Sequence, residues 1–182
     1  MTIRDQYAPG PASGATIEKD GENWTLVLVR ELHHSPEKVW AALTQPDQLH
    51  EWAPFDADAS LGAAGATVHL STVGTPEPHV SKTTVTRADA PSMLEYKWGE
   101  IELRWQLDAL GQGTHLTLWT KIPRPYIAWG AAGWHICFDV LDRFLAGAPI
   151  GRMAGPQSMQ IEGWQRLTKE YAKQFGVEAP SW

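Results

Sequence analysis

The chain has 182 residues, 43% of them hydrophobic and 20% charged, with a formal net charge of -6 and a single cysteine. That is an ordinary globular composition with enough chain to bury a core. The acidic balance, without any run of like charge, argues against the basic face a nucleic-acid binder needs. Cys137 alone excludes intrachain disulfides and a cysteine-based zinc site.

Ten tryptophans are the departure from the ordinary. Side chains this large either fill a wide aromatic interior or make a sticky surface. No stretch approaches the about 18 consecutive apolar residues of a membrane span. The first 14 residues lack the basic-then-apolar order of a signal peptide, so a cytoplasmic protein is expected.

Residues 1–23, rich in Pro, Gly, Ala and charge, are expected to form a loosely held N-terminal arm ahead of a single domain over 24–182. Trp24–Leu32 is dense in Leu and Val and reads as a first strand. Ser35-Pro36-Glu37 is a helix start: a capping hydroxyl, a proline whose missing N–H costs nothing there, and a carboxylate suited to the dipole. Val39, Trp40 and Leu43 then share one helical face, with Trp40 expected as a core anchor. Thr44-Gln45-Pro46-Asp47 repeats the signal and predicts a second short helix over Pro46–Trp52.

From Gly65 the period becomes two. Val68, Leu70 and Thr72 alternate with polar neighbours, and about Val80–Arg87 is β-branched and Thr-rich. Leu94, Tyr96 and Trp98 alternate likewise, as do Ile101, Leu103, Trp105 and Leu107, and then Leu116, Leu118, Thr120 and Ile122. Such alternation marks sheets with one wet face, hence antiparallel, and the links at Gly99 and at Gly111 and Gly113 mark hairpins.

After Pro123-Arg124-Pro125 the period is helical again. Over about Tyr126–Leu145, Ile127, Gly130, Trp134, Phe138, Leu141 and Leu145 make one stripe, flanked by Cys137 and Phe144, with His135, Asp139 and Asp142 opposite. Gly147 and Pro149 end this helix. A last amphipathic helix, about Pro156–Phe175 within a C-terminal extension over 149–182, carries Ile161, Trp164, Leu167, Tyr171 and Phe175. It is placed to cover the minor ridge of Ile136 and Val140.

The order of strand, two short helices, meander and long helix suggests an α+β helix-grip architecture, a bent antiparallel sheet around a long helix. Local residues make this specific. The segment RELHHSPEKVWAALTQPDQLHEW, Arg30 to Trp52, resembles the opening of bacterial homologues of the activator of the heat-shock protein 90 ATPase, in the START-like (SRPBCC) superfamily. Val85 to Trp98, with Pro91, Leu94, Tyr96 and Trp98, is a second similar stretch. A third is Gly133-Trp134 with Asp139, Leu141 and Leu145. The resemblance implies a cavity between the sheet's concave face and the long helix. It implies far less about activity, since the superfamily includes lipid carriers, hormone receptors, polyketide cyclases and co-chaperone domains.

Trp98, Leu103, Trp105 and Thr120 of the meander, with Leu70 and with Trp134 and Phe138 of the long helix, are expected to face one space, and Trp52 and Phe55 to close one mouth. The expectation is non-catalytic binding of a small hydrophobic or aromatic ligand, against the alternative that these rings only fill the interior. His135 with Asp139 four residues on is expected to be a solvent-facing pair, and His69 and His115 to be exposed sheet positions. No nucleophile elbow, phosphate loop or metal-ligand spacing occurs, so no catalytic set, metal or cofactor is expected. Cys137 reads as inert filler. A cyclase-like enzyme and a co-chaperone or protein-interaction module are the alternatives. The second is weakened by the absence of room for a further domain. Trp119, expected on the outer face with His115 and Lys121, fits a homodimer or partner surface and equally a position covered by the last helix.

Overall fold

Two proline-started helices open the fold after its first hairpin. The computed structural model describes residues 1–181. In helix α1 (Pro36–Thr44) the Ser35 hydroxyl accepts from the Lys38 N–H at 3.3 Å, satisfying an N–H that the helix cannot pair itself. Helix α2 (Pro46–Trp52) follows directly. Its Trp52 turns inward and donates its indole N–H to the Ala42 carbonyl at 2.9 Å, locking the two helices together.

The strands are β1 (Ala15–Asp20), β2 (Asn23–Leu32), β3 (Phe55–Ala57), β4 (Thr67–Thr72), β5 (His79–Thr84), β6 (Arg87–Asp89), β7 (Met93–Trp98), β8 (Ile101–Leu110) and β9 (Gly113–Lys121). All pairings are antiparallel, as the alternation requires. They form a six-stranded sheet ordered β1-β2-β9-β8-β7-β6 and a three-stranded sheet ordered β3-β4-β5. The sheets meet where β5 side chains replace a backbone ladder. Thr83 accepts from the Lys97 N–H at 3.1 Å and Ser81 from the Gly99 N–H at 3.2 Å.

Leu26, Leu28, Leu94, Tyr96, Leu103, Trp105, Leu107, Leu116, Leu118 and Thr120 point to the covered face and are buried. Trp119 lies on the other face, opposite Arg104 on β8, whose guanidinium sits 4.8 Å from its ring centre. Helix α3 (Ile127–Leu145) crosses the covered face. Lys38 caps its end through the Leu145 carbonyl at 2.7 Å, a cation where the dipole favours one. Helix α4 (Trp164–Phe175) packs on α3, whose Ile136 and Val140 are fully buried.

Three expectations change. Residues 15–20 are not a loose arm but the edge strand β1, paired with Asn23–Leu28; the Asp20-Gly21 turn between them is the overlooked hairpin signal. Tyr7 is buried, and Arg4 donates to the Ile150 and Arg152 carbonyls, both at 3.1 Å. The last helix begins at Trp164 rather than Pro156. Gly163, at φ +89°, breaks the path, and Gly155–Gln160 form a separate 3₁₀ turn. Trp40 packs against the core but stays half-exposed.

Candidate functional site

The aromatic residues singled out by their pattern do converge, and most of them touch one another rather than open space. Trp52 meets Trp105 edge-on with ring centres 6.0 Å apart, and Trp105 meets Trp134 at 5.6 Å. Phe138 closes the triangle at 6.1 Å from both Trp105 and Trp134. Trp134 contacts Trp98 at 6.3 Å, and Trp98 contacts Phe55 at 5.2 Å. Such edge-to-face and tilted pairs add to the burial of their large apolar surfaces. Trp105 and Phe55 are 0% exposed and Trp52 1%. Trp52 and Phe55 therefore belong to the packed interior and close no mouth. Leu70, Leu103, Trp105 and Phe138 likewise lie within that filled part.

Beyond Trp98 and Trp134 the packing stops. A cavity of about 480 Å³ opens there, bounded by four groups of residues. The sheet supplies Trp98, Ile101 and Thr120, continued by Ile122 and Pro123. Helix α3 supplies Trp129, Gly130, Gly133, Trp134 and Cys137. The 3₁₀ turn and its approach supply Ala154, Gly155, Pro156, Ser158 and Met159, with Trp164 at the start of α4. Pro54 and Tyr126 complete the wall. Of the nine residues proposed from sequence, Trp98, Thr120 and Trp134 line it. Trp129, Trp164 and Tyr126 were missed, although Trp129, Gly133 and Cys137 at spacing four mark a ridge beside the main stripe. Tyr126 and Met159, 56% and 40% exposed, stand at its rim.

No carboxylate, histidine, lysine or arginine among the described residues lines this cavity. Its polar groups are few. Ser158 donates to the Gly155 carbonyl at 2.7 Å. Burial pushes the Cys137 thiol up to about 12, so at neutral pH it is not a nucleophile. Thr120 Oγ1 and Trp129 Nε1 are buried without a hydrogen-bond partner among the described residues. A volume of this size with an apolar wall and a few polar groups is what small-molecule sites require.

Two glycines of α3 form part of the wall for different reasons. A Cβ on Gly130 would collide with Ile122 Cδ1, so a side chain there would require the Ile122 side chain to move. A Cβ on Gly133 would meet no atom within 4 Å. Glycine inside a helix costs about 1 kcal/mol relative to alanine, and nothing in the protein's own packing explains that cost at Gly133.

A second polar cluster lies on the other side of α3, and it corrects an expectation. His135 does not face solvent: it is 5% exposed, because α4 and the N-terminal segment cover it. Its Nδ1 lies 2.7 Å from the Tyr171 hydroxyl, which donates to the Ser13 carbonyl at 2.9 Å and accepts from the Ser13 N–H at 3.3 Å. Asp139 accepts from Arg30 at 2.7 Å and from the Tyr7 hydroxyl at 2.5 Å. Burial lowers the His135 pKa, only partly offset by Asp139, and burial raises those of Tyr7 and Tyr171. The cluster ties the N-terminal segment to α3 and α4. His69 is exposed and bonded to Asp58 at 2.9 Å, whereas His115 is half-buried. No group of three or more His, Cys, Asp or Glu that could hold a metal gathers among the described residues. No helix there is long and apolar enough to cross a membrane.

A bent antiparallel sheet gripping a long helix, with an apolar cavity beside it, defines a helix-grip protein of the START-like class. The sequence profile described as Activator of Hsp90 ATPase homolog 1-like protein matches residues 33–146, and the chain belongs to that family. Its fold is similar to that of a conserved protein of unknown function from Enterococcus faecalis, with a TM-score of 0.67 at 17% identity over 88% of this chain and 89% of that one. CalU16 from Micromonospora echinospora is similar over 93% of this chain and 97% of its own, with a TM-score of 0.61 and 21% identity. A protein from Mesorhizobium loti shares 28% identity over 68% of this chain and 97% of that one, with a TM-score of 0.57. No curated protein matches the chain.

Proposed function

We propose that the protein binds, without chemically altering it, one small apolar molecule in the cavity between Trp98, Trp129, Trp134 and Trp164. The observation that carries this is the apolar cavity of about 480 Å³ in an interior otherwise filled by interlocking rings. A ligand of matching size would remove this apolar wall from water, which is favourable in proportion to the area covered. Only three of the nine residues expected from sequence contribute directly. Phe55, Trp105 and Phe138 pack behind Trp98 and Trp134, and Trp52, Leu70 and Leu103 lie in the filled interior.

Titration with the uncharged dye N-phenyl-1-naphthylamine, followed by quenching of tryptophan fluorescence and by dye emission, tests the reading. Saturation at one dye per chain is expected; a signal that never saturates overturns it. The cyclase-like alternative asks for ionisable groups at the cavity wall, and the lining carries only Cys137 and Tyr126 of that kind. A co-chaperone role draws support from the family description alone. A change in chaperone ATPase rate on adding the purified protein would move that reading ahead.

A further inference from the structure

Gly133 and Thr120 face the same cavity from α3 and β9. At Gly133 the helix presents bare backbone to open space, since a side chain's first carbon there would touch nothing within 4 Å. Nearby, the same helix uses alanine at Ala131 and Ala132, both fully buried, so small size alone does not require glycine. What glycine adds is a smooth turn of helix that another flat surface can approach. Trp134 and Trp129 flank that turn, and Trp98 stands across the cavity wall from it. A flat ring can approach bare helix backbone closely because no Cβ holds it off. Thr120 is 1% exposed, and its hydroxyl has no partner among the described residues. Buried polar atoms are normally paired, and of the two such groups on the wall, Thr120 Oγ1 and Trp129 Nε1, the hydroxyl can both donate to and accept from an oxygen or nitrogen carried by the occupant.

We propose that Gly133 is a specificity-determining residue that selects a planar, ring-bearing ligand with one polar substituent, and that the ring lies against the bare turn of α3 while the substituent meets Thr120. This rests on the ligand-binding reading above and deepens it, from any small apolar molecule to a flat one. A saturated molecule with the same carbon skeleton is thicker and would be held off by the helix backbone.

The test uses 2-naphthol and its saturated counterpart decahydro-2-naphthol, which share skeleton and hydroxyl but differ in thickness. Both are titrated by calorimetry into the wild-type chain and into Gly133→Ala and Gly133→Leu. The wild type is expected to favour 2-naphthol by about tenfold, the discrimination a methylene-sized misfit gives in an apolar pocket. Gly133→Ala should weaken 2-naphthol about tenfold and erase the preference, and Gly133→Leu should abolish binding. Gly133→Ala should meanwhile raise Tm by about 2–4 °C, because the methyl meets empty space and alanine favours the helix. Weaker binding in a more stable protein separates ligand exclusion from misfolding. Equal affinity of the wild type for both probes, or unchanged 2-naphthol affinity in Gly133→Ala, overturns the shape inference while leaving the binding reading intact. A lower Tm in Gly133→Ala contradicts the open space and overturns the inference too. Failure of the wild type to bind either probe overturns both.

Discussion

The Tyr171 hydroxyl sits 2.7 Å from His135 Nδ1 and is held at the same time by both backbone polar atoms of Ser13. One phenol oxygen thus joins α4, α3 and the segment leading into β1. The His135–Tyr171 bond forms with either tautomer of the neutral imidazole, Nδ1 donating in one and accepting in the other. Tyr171→Phe removes all three bonds and leaves His135 Nδ1 buried without this partner, at a cost of about 1–3 kcal/mol. The midpoint of urea unfolding should fall accordingly. An unchanged midpoint would mean the segment is not held this way.

His135 also makes stability depend on pH. Burial lowers its pKa in the folded state, so below the ordinary histidine value of about 6.5 the unfolded chain binds more protons than the native one. Stability is therefore complete above that value and declines as pH falls through it towards the lowered native value. His135→Phe keeps the ring packing against Tyr171 and should show a shallower loss of stability between pH 7 and pH 5 than the wild type. Identical slopes would place His135 in solvent instead.

Tyr7 ties residues 4–14 to α3 through Asp139. Tyr7→Phe should cost about 1–2 kcal/mol, the upper range reflecting the charged acceptor. Amide exchange should then rise in residues 4–14 while the meander stays protected, as local opening without global unfolding requires. Uniform exchange across the chain would argue against a separate strap.

Thr120→Val replaces a buried, unpartnered hydroxyl by a methyl. Without ligand it should be neutral or stabilising by about 1 kcal/mol. It should also weaken 2-naphthol while leaving naphthalene unaffected. A loss of stability in the unliganded variant would show that the hydroxyl already has a partner.

Cys137 reports on the cavity wall. With its thiol pushed up to about 12 by burial, it should react with Ellman's reagent at pH 8 far more slowly than an unfolded thiol. Bound N-phenyl-1-naphthylamine should slow the reaction further, since Cys137 lines the proposed site. Reaction at the rate of a free thiol would place it on the surface.

The elements were legible because their signals are local. Ser35-Pro36 and Gln45-Pro46 start helices for reasons contained within one turn, and the alternation in β7, β8 and β9 assigns Trp98, Trp105 and Thr120 to the covered face. His135 and Trp52 were misplaced for the opposite reason. His135 is off the apolar stripe, and only α4 and a segment more than 100 residues away in sequence bury it. Trp52 ends a short helix, and its inward turn depends on the Ala42 carbonyl and on Trp105 across the core.

The Trp-rich interior divides along the same line. By itself the sequence determined that a meander and a long helix would bring Trp98, Trp105, Trp134 and Phe138 to one side, because residue period sets side-chain direction. Only the tertiary structure decided that Trp52, Phe55, Trp105 and Phe138 fill that space while Trp98 and Trp134 border an open one. Whether rings meet or leave a gap depends on the separation of helix from sheet and on the turn at Gly155–Gln160, which supplies one side of the cavity.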